Sequence, residues 1–81
     1  MSLSAFIFIE VTQGRALDVA ETVKSLPGVK SCHAVTGPVD VIALVEAADI
    51  NNLGIFTVTK IQPIAGVLRT TTNICLDPPS P

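Results

Sequence analysis

Basic and aromatic residues are scarce in this chain, and their scarcity argues against one large class of function. Tryptophan and tyrosine are missing from the 81 residues, and lysine and arginine together number 5. These basic residues are scattered, whereas proteins that bind nucleic acid gather them into a patch that neutralises phosphate groups. Because the formal net charge is also −2, the sequence predicts no direct binding to DNA or RNA.

Signals for export and for membrane insertion are missing as well. The first residues, MSLS, lack the charged segment of a signal peptide. The apolar runs are far shorter than the ~20 residues that a membrane span needs. Cys32 and Cys75 follow no C-x-x-C spacing and are interpreted as small hydrophobic residues of the core. We therefore expect a cytoplasmic protein that does not associate with a membrane.

Sequence motifs for catalysis and for metal binding are also lacking. The chain contains neither the G-x-S-x-G motif of a nucleophile elbow nor a phosphate-binding loop. One histidine, His33, and two cysteines at unrelated spacings supply too few donors for a metal site. We expect no enzymatic activity, no metal and no cofactor. A small dimeric ferredoxin-like enzyme, with His33 as its best candidate residue, stays open as an alternative.

The apolar pattern that is present predicts six elements in the order strand, helix, strand, strand, helix, strand. The predicted strands span residues 5–11, 29–35, 39–46 and 67–76, and the predicted helices span residues 15–25 and about 49–61. This order is the split βαβ arrangement. It predicts an α+β, ferredoxin-like fold with a four-stranded antiparallel sheet and two helices on one face. Residues 1–4 are expected to be a disordered N-terminus, residues 5–76 one domain, and residues 77–81 a Pro-rich tail.

Apolar residues make up 48% of the chain, which is more than a small monomer can bury. A domain of this size hides only roughly 60–68% of the surface that its unfolded chain exposes. The first strand has apolar residues on both of its faces, although the two helices cover one face of the sheet only. We therefore predict a homodimer, formed sheet against sheet or through paired edge strands.

The turn at residues 36–40, between two apolar strands, is the most informative motif in the chain. Gly37 and Pro38 end one strand, and Asp40 places a carboxylate at the head of the next. A carboxylate in apolar surroundings needs either a backbone partner or a bound cation. Two interpretations are open. In the first, the N–H groups around Gly37 bind a ligand carboxylate and Asp40 binds its amine. In the second, Asp40 only hydrogen-bonds nearby backbone.

The last predicted strand contains three consecutive threonines. Alternation along a strand sends Thr70 and Thr72 to one face and Thr71 to the other. Because threonine is a good strand former, the residues alone favour ordinary β-propensity as the explanation.

Three segments together resemble the ligand-binding domain of the leucine-responsive/AsnC family of transcription regulators. They are residues 27–29 (PGV), 35–41 (VTGPVDV) and 66–72 (GVLRTTT), and the similarity extends from about residue 5 to residue 76. The resemblance implies the βαββαβ fold, dimers formed through the sheets, and octamers or similar rings of dimers. It also implies that an amino acid or related small effector binds between dimers, near the turn.

On the matching motif, the resemblance places Gly37 and Asp40 at the effector site, with backbone from Pro38 and Val39. Thr70 and Thr72 match the last motif and are expected to lie nearby or to support the assembly.

One departure from the family pattern concerns how the protein would affect transcription. Full-length regulators carry an N-terminal helix-turn-helix domain, and this sequence shows none before its first strand. The resemblance therefore implies a stand-alone module that modulates transcription indirectly, by co-assembly with full-length regulators or through a metabolic partner.

A second departure is in the turn, where Pro38 and Val39 replace an aromatic residue that family turns often carry. This departure supports the alternative of a structural or interaction subunit that binds no small molecule.

Overall fold

The computed structural model describes residues 2–79, and within this range the chain forms four strands, two α-helices and one π-helix. The elements, in chain order, are β1 (Leu3–Val11), α1 (Ala16–Lys24), β2 (Val29–Ala34), β3 (Val41–Ala47), α2 (Ile50–Phe56), the π-helix (Thr57–Ile61) and β4 (Val67–Ile74). The strands form one antiparallel sheet in the order β2-β3-β1-β4. The predicted ferredoxin-like α+β fold is confirmed.

The core lies between the sheet and the helices. On β1, Ile7 and Ile9 point toward the helices and are 0% exposed, whereas Phe6, on the opposite face, is 37% exposed. Helix α1 lies over β2 and β3, and α2 also contacts β3. The face that carries Phe6 is called the open face below.

The strand ends differ by a few residues from the predicted ends. Strand β1 begins at Leu3, and both Leu3 and Ser4 pair with β3 instead of belonging to a disordered N-terminus. Strand β3 begins at Val41, because Val39 and Asp40 belong to the turn. Strand β4 ends at Ile74. The predictions for Met1 and for residues 80–81 of the tail lie outside the described residues.

The predicted second helix is divided. It begins as expected, with the Asp49 side chain accepting a hydrogen bond from the Asn52 N–H at 2.8 Å. The α-helix ends at Phe56, and a π-helix follows. The hydroxyl groups of Thr57 and Thr59 donate to the carbonyl groups of Leu53 and Ile55, at 2.9 Å and 2.7 Å. These bonds compete with the regular backbone ladder, in a segment whose β-branched residues already disfavour an α-helix.

None of the helices in the part of the chain that the structure describes is long and apolar enough to cross a bilayer.

Candidate functional site

Asp40 anchors the turn to the end of β1. Its Oδ2 accepts a hydrogen bond from the Val11 N–H at 2.9 Å, and its own N–H donates to the Ile9 carbonyl at 3.1 Å. The Asp40 carbonyl also accepts from the Val35 N–H at 2.9 Å, which closes the turn. The carboxylate therefore has a backbone partner, which is one of the two kinds of partner that the sequence allowed. That partner is 29 residues away and not within a local Asx turn.

The strand register explains why Asp40 reaches Val11. The pairing between β1 and β3 ends at Ile9 and Val41, and the pairing between β1 and β4 is irregular between Glu10 and Val11. The Val11 N–H lies beyond the regular β1–β3 ladder, so the carboxylate takes the place of a strand carbonyl as its acceptor. Asp40 thus has a structural role whatever else it binds.

The remaining polar groups of the turn are available. Gly37 and Pro38 are exposed, and Gly37 has a φ of 126°, which favours glycine. Across residues 2–79, neither Gly37 nor Val39 donates its N–H to a hydrogen bond, and Oδ1 of Asp40 accepts none. One protomer therefore presents two backbone donors and one carboxylate oxygen close together in sequence.

Thr70 and Thr72 line a separate surface cleft. They pair with Ile9 and Ile7 and point to the helix side of the sheet. There they line a cleft of about 430 Å³ between β4 and the segment formed by α2 and the π-helix. The Gln62 side-chain amide donates to the Thr70 hydroxyl at 3.2 Å. Since the turn does not line this cleft, the six predicted ligand residues divide into two groups.

Sequence reasoning did not identify the other wall of the cleft. Gly54 and Gln62 belong to it, and the signal that could have pointed there is the glycine inside a helical pattern. Such a glycine weakens a helix and calls for an explanation.

The open face is apolar in its centre and charged at its edges. Phe6 pairs with Leu44, and Phe8 pairs with Ile42. Two ion pairs, Glu10 with Arg69 at 3.9 Å and Lys30 with Glu46 at 3.8 Å, lie on this side of the sheet. This is the surface that the sequence predicts for dimerisation.

The cysteines and the histidine do not form a site. Cys32 is buried beneath α1, and this burial raises the pKa of its thiol, although nearby Lys24 opposes the shift. His33 is exposed and pairs with Ile42 on the open face. Among the described residues there is no group of three or more His, Cys, Asp or Glu side chains that could hold a metal ion.

Comparison with known families identifies the fold and its general role. The sequence profile of the Lrp/AsnC ligand binding domain matches residues 4–81. The chain belongs to the Lrp/AsnC ligand-binding domain family. The resemblance carried by the turn and by the first and last motifs is thereby confirmed. Domains of this family are regulatory ligand-binding domains.

Relatives of this Lrp/AsnC domain are transcription regulators. An uncharacterised HTH-type transcriptional regulator from Pyrococcus furiosus is 31% identical over 77 residues, which cover 91% of this chain and 51% of the relative. The chain spans about half the length of the curated relatives it matches.

Solved structures share the Lrp/AsnC domain architecture. A crystal structure of a Thermus thermophilus protein is 30% identical, with a TM-score of 0.87 over 98% of this chain and 99% of that one. A transcriptional regulator from Neisseria meningitidis, solved as a complex with L-Met, is 27% identical. Its TM-score is 0.82, over 93% of this chain and 50% of that chain.

Proposed function

We propose that this Lrp/AsnC domain is a non-enzymatic, cytoplasmic regulatory module that binds an amino acid or a related small effector. The L-Met complex of the Neisseria meningitidis regulator supports this class of effector. The binding groups would come from the turn at residues 36–40.

The availability of polar groups in the turn carries this proposal. An α-amino acid carries its ammonium and its carboxylate group on the same carbon atom. Oδ1 of Asp40 would accept from the ammonium, and the N–H groups of Gly37 and Val39 would donate to the carboxylate. Pro38 has no N–H and contributes its carbonyl and a fixed φ. The bond from Val11 holds Oδ2, so the free oxygen is oriented before the effector arrives.

Assembly would complete the site. The exposed turn gives an effector contacts on one side only, and a second dimer would cover the other side. The open face supplies the dimer interface, and dimers would associate into an octamer or a similar ring. An effector bound between dimers stabilises one assembly over another by its differential affinity for the two. Thr70 and Thr72 would then act through the assembly, because they lie in a different cleft.

The output of this assembly would be indirect. Co-assembly with full-length regulators of the same family would change their oligomeric state and thereby modulate transcription. A full-length regulator would bind the open face of this chain, which is the same surface that a second copy of this chain would bind.

A thermal-shift screen against the twenty amino acids at millimolar concentration tests effector binding. An effector at 100 times its Kd adds about 2.7 kcal/mol, which raises the Tm of a domain of this size by several degrees. A shift with one chemical class identifies the effector class, and no shift with any amino acid contradicts the proposal.

The Asp40→Asn variant tests the role of the turn. An asparagine keeps an oxygen for the Val11 N–H but lacks the negative charge that the ammonium requires, so the variant should fold and lose the effector-induced shift. Asp18→Asn is the matched control, because Asp18 is exposed on α1. Equal effector binding by both variants would exclude Asp40 as the ammonium ligand.

A further inference from the structure

The cleft on the helix side of β4 lies between this strand and the segment formed by α2 and the π-helix. Helix α1 lies over β2 and β3, and α2 contacts β3. Strand β4 is at the edge of the sheet, beyond β1. Of its helix-facing residues, Thr70 is half-buried, and Thr72 and Ile74 are exposed.

Gly54 lies on the opposite wall of the cleft and is exposed. An added Cβ at this glycine would meet no heavy atom within 4 Å among the described residues beyond its own helix and chain neighbours. Among residues 2–79, the space beside the Gly54 backbone is therefore open.

The lining of the cleft specifies an uncharged occupant. Its apolar wall includes Leu53, Val58 and Ile74, and none of its described lining residues carries a charge. A charged group inserted there would lose water and gain no partner. Hydrogen-bonding groups are nevertheless present. The Thr70 hydroxyl accepts from Gln62 and keeps its own O–H to donate. The Thr72 hydroxyl makes no hydrogen bond within residues 2–79.

We infer that this cleft binds a small uncharged molecule that carries an aliphatic group and an amide or hydroxyl group. The aliphatic group packs between Gly54 and Ile74, and the polar group hydrogen-bonds to Thr70 and Thr72. The π-helix that follows α2 supports the inference, because such helices are frequent at functional sites. This site lies within one protomer and is independent of the Asp40 turn.

Three probes that share a branched chain and differ in charge test the inference. They are isovaleramide, isovalerate and isoamylamine, titrated into protein labelled at its isoleucine δ1 methyl groups and followed by NMR. The amide should shift the methyl signals of Ile50 and Ile74, which line the cleft, and leave Ile55, which does not line it. The anion and the cation should bind at least about tenfold more weakly. Equal binding of all three probes, or equal shifts at Ile55, would overturn the inference.

A filled cleft provides the matching variant. Gly54→Leu places a side chain in the space and should weaken isovaleramide binding at least tenfold, whereas Asn52→Leu, on the exposed side of α2, should not. Thr72→Val keeps the shape of the cleft and removes a hydroxyl, and it should weaken binding about fivefold even if Gly54→Leu does not fold. Unchanged binding in Gly54→Leu would overturn the inference. The inference is also overturned if the wild-type protein binds no probe, and a change of oligomeric mass in Gly54→Leu would then show that the cleft receives another copy of the chain.

Asp40→Asn separates this inference from the proposed function. Isovaleramide binding should persist in that variant whether or not an amino-acid effector is lost. A loss of isovaleramide binding in Asp40→Asn would contradict the independence of the two sites.

Discussion

The two faces of the sheet differ in what covers them. Strand β1 shows this most clearly, since Ile7 is 0% exposed beneath the helices and its neighbour Phe6 is 37% exposed on the open face. The covered face consists of aliphatic and small residues: Ala5, Ile7, Ile9, Val11, Cys32, Val41, Ala43 and Val45. The open face has larger apolar residues in its centre and ion pairs near its edges.

This contrast shows which part of the stability a single chain supplies for itself. Burying an aliphatic side chain stabilises the folded state by about 1.5–3 kcal/mol. The side chains of the covered face are buried, and so contribute this stability, within a single protomer. The apolar centre of the open face gains it only against another surface. The residues of the two faces should therefore respond differently to substitution and to dilution.

The largest expected effect is on the covered face. Ile7→Ala should lower the free energy of unfolding by about 2–5 kcal/mol, because it removes buried methyl groups and leaves a cavity. Urea denaturation at several protein concentrations should show the same loss at each. Phe6→Ala should cost less, and its cost should shrink on dilution, because part of it belongs to association. Equal, concentration-independent losses for both variants would show that the two faces do not differ in this way.

The second effect concerns association through the open face. Leu44→Glu should weaken dimerisation by about 2–3 kcal/mol, since it places a charge at the centre of the predicted interface, where removing it from water is costly. Sedimentation velocity over a range of concentrations measures this change. Leu17→Glu, at a position on α1 that is 75% exposed, is the control and should leave the dimer intact. A dimer that tolerates Leu44→Glu would place the interface elsewhere.

The third effect lies at the end of the sheet, where the turn meets β1. Asp40→Ala should lower the free energy of unfolding by about 1–3 kcal/mol, because the Val11 N–H loses its acceptor in a half-buried position. Asp40→Asn retains an oxygen and should cost less. Denaturation curves measure the free energy of unfolding of the two variants. Equal losses in both would mean that the hydrogen bond from the Val11 N–H contributes little to stability.

The smallest effect is on the reactivity of the cysteine thiols. Burial raises the pKa of the Cys32 thiol above its ordinary value of 9.0. A thiol reagent at pH 8 should therefore modify the half-buried Cys75 first and Cys32 only as the fold opens. The unfolded thiol loses its proton at a lower pH than the folded one. The contribution of Cys32 to the free energy of unfolding is therefore independent of pH below about pH 9 and falls as the pH rises above it. Fast modification of Cys32 in the native protein would contradict its position beneath α1.

The fold could be predicted from sequence because its signals are local and consistent. Alternating apolar residues in β1, the stop at Pro27 and Gly28, and the Asp49 cap each determine one element, and handedness rules then leave few topologies. The division of the second helix escaped prediction. Hydroxyl groups at Thr57 and Thr59 donate back to the preceding turn, and propensity alone does not show where such bonds form.

The candidate site was harder to predict because it depends on register. The sequence indicated that Asp40 needs a partner, but the partner is Val11, whose N–H is available only because the β1–β3 ladder stops at Ile9. The separation of Thr70 and Thr72 from the turn likewise follows from β4 being an edge strand whose threonines face the helices. No pattern along the chain shows which of these residues line the same surface.

The pairing of β1 with β4 also governs how a newly made chain reaches this structure. Phe6 and Asn73 are neighbours in the sheet although 67 residues separate them in sequence. During synthesis β1 leaves the ribosome long before β4, so one side of a central, strongly apolar strand stays unpaired while the chain grows. Long-range pairing of this kind is slow, and an unpaired apolar strand invites contact with other chains. The step that completes the sheet is therefore also the step that ends the period of greatest risk of aggregation.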